Sequence, residues 1–293
     1  MMKRSLGEKI FCVINIFVMI FVICVVIFPL LHIFSVSVSD RIAVASLQVG
    51  IWPKGFNFAA YQKILSNPVF KRSFINTVCL TIVGTFLSII VITMIAYALS
   101  KEFFFGKKLV TYFFVITMYF SGGLIPTYLV ISNYLNLNNS YLAYILPSLV
   151  NVFYVIVVRS QLETVPQDLI DSGYIDGANE FRVLFNIILP VITPTIAAVS
   201  MFIALGRWNM WFPVLLYSTK ENMWTLQYYL RNVVFGKFLE NTKNAPQMVD
   251  ADIIPPKNYQ MASIILVALP IVSIYPFVQK YFVKGILAGS VKG

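Results

Sequence analysis

Residues 74–99 read FINTVCLTIVGTFLSIIVITMIAYAL, a run with no Asp, Glu, Lys, Arg or Pro. About 20 such residues, wound as a helix, cross the roughly 30 Å hydrocarbon layer of a bilayer. The run therefore reads as a membrane span. Working outward from it, five further blocks have the same character, at 10–34, 109–132, 141–158, 187–205 and 261–279, and none of the six contains Asp or Glu. Backbone N–H and C=O groups in lipid must be satisfied internally, and the alternating ten-residue segments of a barrel are missing, so the spans are helices. The expected fold is an all-α integral membrane protein with six transmembrane helices.

Composition agrees. The chain has 293 residues, 59% hydrophobic and 12% charged, with a mean hydropathy of +0.80. An ordinary soluble domain has about 45–50% apolar and about 25% charged residues. The net charge of +10 is dispersed among the loops, with no basic helix or aromatic-interleaved motif, which excludes nucleic acid as a partner. Cys12, Cys24 and Cys79 lie inside apolar blocks without ligand spacing and read as small buried hydrophobes. The block at 10–34 follows Lys3, Arg4 and Lys9 like a secretory signal, but it exceeds the roughly 7–15 residues of a signal core and reads as an uncleaved first span.

Charge in the short loops gives the orientation. The tail at 1–9 has Lys3, Arg4 and Lys9, the loop after the second span has Lys101, Lys107 and Lys108, and the tail at 280–293 has Lys280, Lys284 and Lys292. All fall on one side, whereas 133–140 has no Lys or Arg. Both termini are expected in the cytoplasm. A six-helix permease domain at 10–279 then has a cytoplasmic loop at 159–186 and outer segments at 35–73 and 206–260. Gly122, Gly123, Pro126, Pro147, Pro194, Pro270 and Pro276 would kink or break helices, as packing irregularities or as hinges.

The loop holds Val165-Pro166-Gln167-Asp168-Leu169-Ile170-Asp171-Ser172-Gly173-Tyr174-Ile175-Asp176-Gly177-Ala178-Asn179-Glu180-Phe181-Arg182. A Pro at the first position and early acids suit a helix start, and Asp-Gly breaks it. The reading is a short helix, a turn at Gly177, and a second amphipathic helix entering the next span through Leu189-Pro190. Leu169, Ile170 and Gly173 share a face that another protein could receive. By these residues alone, a helix lying on the membrane surface fits as well.

The run Asp171-Ser172-Gly173-Tyr174-Ile175-Asp176-Gly177-Ala178, with Leu189-Pro190 beyond it, resembles the EAA loop of binding-protein-dependent ABC importer permeases, written Glu-Ala-Ala, three residues, Gly. Asp171 stands for the Glu, Ser172 and Gly173 for the two Ala, and Gly177 for the Gly. The resemblance extends to Asn76, to Ala96-Tyr97-Ala98-Leu99-Ser100, to Trp208-Asn209-Met210-Trp211-Phe212-Pro213, and to a tail similar to that of maltose-permease G-type subunits. It implies a carbohydrate-uptake permease in a bacterial cytoplasmic membrane. Asp171, Ser172, Gly173, Asp176, Gly177, Ala178 and Arg182 would belong to the coupling helix region that docks on an ATPase, and Gly289, Ser290, Val291, Lys292 and Gly293 would reach the ATPase pair. Implied partners are a second homologous permease subunit, two ABC ATPase subunits holding ATP and Mg, an extracytoplasmic solute-binding protein, and a sugar or oligosaccharide; this chain itself would bind no cofactor.

Catalytic chemistry is not legible. Gly106-Lys107-Lys108 and Gly236-Lys237 lack the remaining elements of a phosphate-binding loop. His32 is the single histidine, so a multi-histidine metal site and a Ser-His-Asp triad are not supported. Spans without Asp or Glu weaken the rival reading, an ATP-independent secondary sugar carrier or channel, because proton-coupled carriers place such a group in the membrane. Tyr119, Tyr128, Asn209 and Trp211 are substrate-path candidates, as aromatic and amide groups suited to sugars; aromatic rings also belt membrane interfaces. The outer segments hold more basic than acidic residues, which suits an acidic oligosaccharide, an acidic binding protein or lipid headgroups alike.

Overall fold

The computed structural model describes residues 6–101, 103–235 and 256–290. Helices dominate, and among the described residues the β-structure is an isolated bridge between Ser39 and Phe56. Four helices are long and apolar enough to cross a membrane, or six if two bent pairs each count as one span. The elements group into two compact units, 6–67 with 230–235 and 256–270, and 68–229 with 271–290.

In the first unit, α1 (Leu6–Ser37) is exposed along most of its length. That is the expected state of a helix whose solvent is lipid. Its C-terminal end turns polar and buried at Ser35, Ser37 and Ser39. Short helices follow at α2 (Arg41–Ala45) and α3 (Ala59–Ser66). Asn258, at the start of α14 (Pro256–Ser290), donates to the carbonyls of Val36 and Ser39, each at 2.9 Å, and so caps the α1 end.

The second unit is built on α4 (Pro68–Ser100). One stripe of it is small and polar: Ser73, Thr77, Gly84, Ser88 and Ala96 are buried. Small residues let helices approach where no hydrophobic force separates protein from lipid. Against this stripe lie α8 (Val152–Leu162) and α11 (Leu189–Trp208), with Ile92, Val155, Val158, Val183, Ile192 and Val199 filling the core. Asn76 anchors the other end: its Nδ2 donates to the carbonyls of Asn222 (2.8 Å) and Trp224 (3.0 Å), and its Oδ1 accepts from Tyr141 at 3.0 Å.

Two expected spans are not straight. The block 109–132 divides into α5 (Lys107–Tyr119) and α6 (Leu124–Leu129), the latter continued by a π turn to Tyr134, and the two parts meet at 113°. Gly123 adopts φ 85° and ψ −179°, a region essentially reserved for glycine. The block 141–158 divides into α7 (Leu142–Ile145), a 3₁₀ turn at Leu146–Ser148 holding Pro147, and α8, with a bend of 52°. Pro194, Pro270 and Pro276, in contrast, sit within continuous helices. The tail expected from 280 is helical through Ser290.

Candidate functional site

The loop between α8 and α11 is built by ordinary helix chemistry. Pro166 precedes α9 (Gln167–Ile175), whose first turn carries Asp168. The helix ends in a Schellman arrangement: Gly177, at φ 76°, donates its N–H to Tyr174 O, and Ala178 donates to Gly173 O, both at 3.0 Å. Glycine is preferred there because a left-handed residue closes the motif. Asn179 then caps α10 (Glu180–Arg182), accepting from the Arg182 N–H at 2.9 Å. The helix continues through a π turn, Val183–Ile188, into α11. Pro190 explains the widened turn, since it offers no N–H to Asn186 and its ring crowds that carbonyl.

Two devices hold α9 in place. Ile170 and Gly173 are buried, and Gly173 faces Val183 and Ile187 of the π turn. A polar cluster ties the helix to the end of α4: Tyr174 donates to Glu180 Oε1 at 2.6 Å, Tyr97 donates to Glu180 Oε2, and Lys101 Nζ lies 3.1 Å from Glu180 and 4.5 Å from the centre of the Tyr97 ring. Lys101 also donates to the Tyr174 hydroxyl at 2.9 Å. On the other flank, Arg159 pairs with Glu163 at 2.9 Å and donates to Thr111.

The face of α9 left outward carries Leu169, Asp171 and Ser172, followed by Asp176 and Gly177. Asp171 accepts from Gln167 at 2.9 Å. The expectation that Leu169, Ile170 and Gly173 form one receiving surface is corrected: only Leu169 of the three faces out, because Ile170 and Gly173 pack inward. Ala178 is half-buried and Arg182 exposed. Gly289 and Ser290 end α14, while Val291, Lys292 and Gly293 lie outside the described residues. Sequence reading missed Tyr97, Lys101, Tyr174 and Glu180 as a group; Lys101 was noticed as a topology charge alone.

A second feature lies where two helices break. The gaps between α7 and α8 and between α11 and α12 (Phe212–Tyr217) line a cavity of about 390 Å³, with Ile92 of α4 on its wall. Interrupted backbone within a membrane is tolerated where it lines such a space. Ser148, Asn151, Tyr154, Phe202, Arg207, Asn209 and Trp211 contribute to the wall. Tyr154 and Phe202 are within 18° of parallel, 6.4 Å apart.

Of the four substrate-path candidates, Asn209 and Trp211 line this cavity and Tyr119 and Tyr128 do not. Tyr119 is 79% exposed, and Tyr128 stacks on Tyr217 at 5.9 Å. Asn209 accepts from Gln227 at 3.0 Å. Arg207 requires a correction: it was assigned to an outer segment beginning at 206, but α11 runs to Trp208 and Arg207 is 3% exposed. Its guanidinium lies over Gly84, where a Cβ would come within 2.6 Å of Nη1.

No family model matches the chain. It is 37% identical over 292 residues to protein LplC of Bacillus subtilis strain 168, covering 100% of this chain and 98% of that one. The polygalacturonan/rhamnogalacturonan transport system permease protein YtcP of the same organism is 35% identical over 277 residues, covering 92% and 93%. Among solved structures, a chain of a bacterial ABC transporter involved in the import of the acidic polysaccharide alginate superimposes with a TM-score of 0.88 at 26% identity, covering 96% of this chain and 100% of that chain. Full-length identity to transport permeases, together with the spans and the loop described above, shows that this chain belongs to the permease subunits of carbohydrate ABC transporters.

Proposed function

We propose that the chain is one of two different permease subunits of an importer in a bacterial cytoplasmic membrane, moving a sugar or oligosaccharide by ATP-driven alternating access. An extracytoplasmic solute-binding protein hands the sugar over, and two ATPase subunits hold the ATP and Mg. This chain makes the pathway and performs no catalysis. Both termini and the loop at 159–186 face the cytoplasm, and the short tail beyond 280 reaches toward the ATPases.

The observation that carries the reading is α9: a short helix outside the spans, fixed on its inner side by Gly173 and the Glu180 cluster, with Leu169, Asp171 and Ser172 free on its outer side. A helix held that firmly transmits a push to α11 instead of absorbing it. The ATPase is the partner that would push, since ATP binding supplies the conformational work. Relatives support the cargo class: the AraQ protein of Bacillus subtilis, 28% identical over 268 residues, is an arabinooligosaccharides transport system permease protein.

The test is purification of the tagged chain from its native membrane in mild detergent, followed by identification of the proteins that accompany it and a sugar-stimulated ATPase assay. Recovery of an ATPase, a second permease and a binding protein, with hydrolysis rising on sugar addition, is the expected result. A solitary chain that moves sugar into vesicles without ATP would overturn the reading.

A further inference from the structure

Arg207 is the charged residue on the wall of the cavity between the α7–α8 and α11–α12 breaks. The side chain is 3% exposed, and its Nη2 donates to Ser88 Oγ at 2.8 Å and to the carbonyl of Ser148 at 3.3 Å. Its Nε and Nη1 are buried without a hydrogen-bond partner among the described residues, and none of the ion pairs described there involves it. Gly84 makes room for the guanidinium. Two neutral oxygens do not compensate a cation held away from water, and an ionisable side chain at membrane depth marks a functional site with a partner to be named.

We propose that the partner is a carboxylate of the transported sugar, so that the cavity takes a uronate oligosaccharide and Arg207 selects it. This rests on the reading of the chain as a sugar permease. A guanidinium offers a fork of donors matched to a carboxylate, and attraction to a full negative charge repays the burial that a neutral hydroxyl leaves uncompensated. No Asp or Glu lines the cavity to compete. Tyr154 and Phe202 supply aromatic faces for the C–H side of a sugar ring. The volume of about 390 Å³ falls within the roughly 300–1,000 Å³ of small-molecule sites.

The experiment uses the transporter complex isolated from its native membrane and reconstituted in vesicles, with labelled trigalacturonate, its methyl ester and maltotriose as probes. Trigalacturonate is expected to be taken up in preference to the ester, roughly tenfold or more, with Arg207→Gln collapsing that ratio and Arg207→Lys retaining part of it. Wild-type complex that takes up sugar without preferring the free acid overturns the inference while leaving the permease reading intact. Failure to take up any of the three sinks the permease reading and the inference with it. If Arg207→Gln lowers uptake of acid and ester equally, or releases the second permease from the complex, the arginine serves structure or pairs with a neighbouring subunit, and the assignment falls. The wild-type preference is measured independently of whether either variant assembles.

Discussion

Gly173 and Ile187 approach so closely that a Cβ on the glycine would fall 2.3 Å from Ile187 Cδ1. The contact joins α9 to the start of the helix that becomes α11. A leucine at 173 must push the isoleucine aside or lift α9, at about 1–3 kcal/mol for overpacking. Gly173→Leu is therefore expected to lower the thermal midpoint of the purified protein and to raise hydrogen exchange across 167–175. Unchanged exchange there would show that Ile187 yields freely.

Gly177 acts through its backbone. At φ 76° an L-residue is strained by about 1–2 kcal/mol, and a β-branched one also loses the turn that aims α10. Gly177→Val should lower sugar uptake per ATP hydrolysed in the assembled complex, while Gly177→Asn, better tolerated in that conformation, should lower it less. Equal coupling in both variants and wild type would show that the Schellman turn is dispensable.

Glu180 gathers Tyr97, Tyr174 and Lys101. The carboxylate is about half exposed, so its ion pair is worth at most about 1 kcal/mol. Glu180→Gln should change overall stability little yet loosen α9 locally, seen as faster exchange at 170–176. A double-mutant cycle with Lys101→Ala should show coupling between the two positions; strict additivity would mean that they do not cooperate.

Asn76 satisfies two carbonyls and a tyrosine from the middle of a buried stripe. Asn76→Leu strands those groups at about 1–3 kcal/mol each where they remain buried, so the detergent-solubilised protein should melt at clearly lower temperature. Asn76→Asp should fare no better, because it removes both donors. A wild-type midpoint in either variant would show that the segment 222–224 finds other partners.

The spans were legible because a run such as 74–99 has few other stable fates, and the loop because Gly177 and Asn179 carry their turn and cap chemistry locally. Gly122 and Gly123 announced a break in the third span, but the 113° change of direction depends on the dihedral angles of a single residue. Arg207 was misplaced for a definite reason: a charge ends an apolar window, although a small residue on a neighbouring helix can house it. Glu180 and Tyr97 are 83 positions apart, and no periodicity in either segment points to the other. Tyr154 and Phe202, likewise, become a pair only when α8 and α11 pack.

The helix from Glu180 to Trp208 is unbroken over 29 residues, and at about 1.5 Å per residue it is a rod of roughly 40 Å. Glu180 sits at one tip and Arg207 at the other, with the π turn near the first tip as a compliant joint. Such a rod converts angle into distance. A tilt too small to disturb the packing around Gly173 becomes, at the cavity wall, a displacement large enough to separate an arginine from whatever it holds.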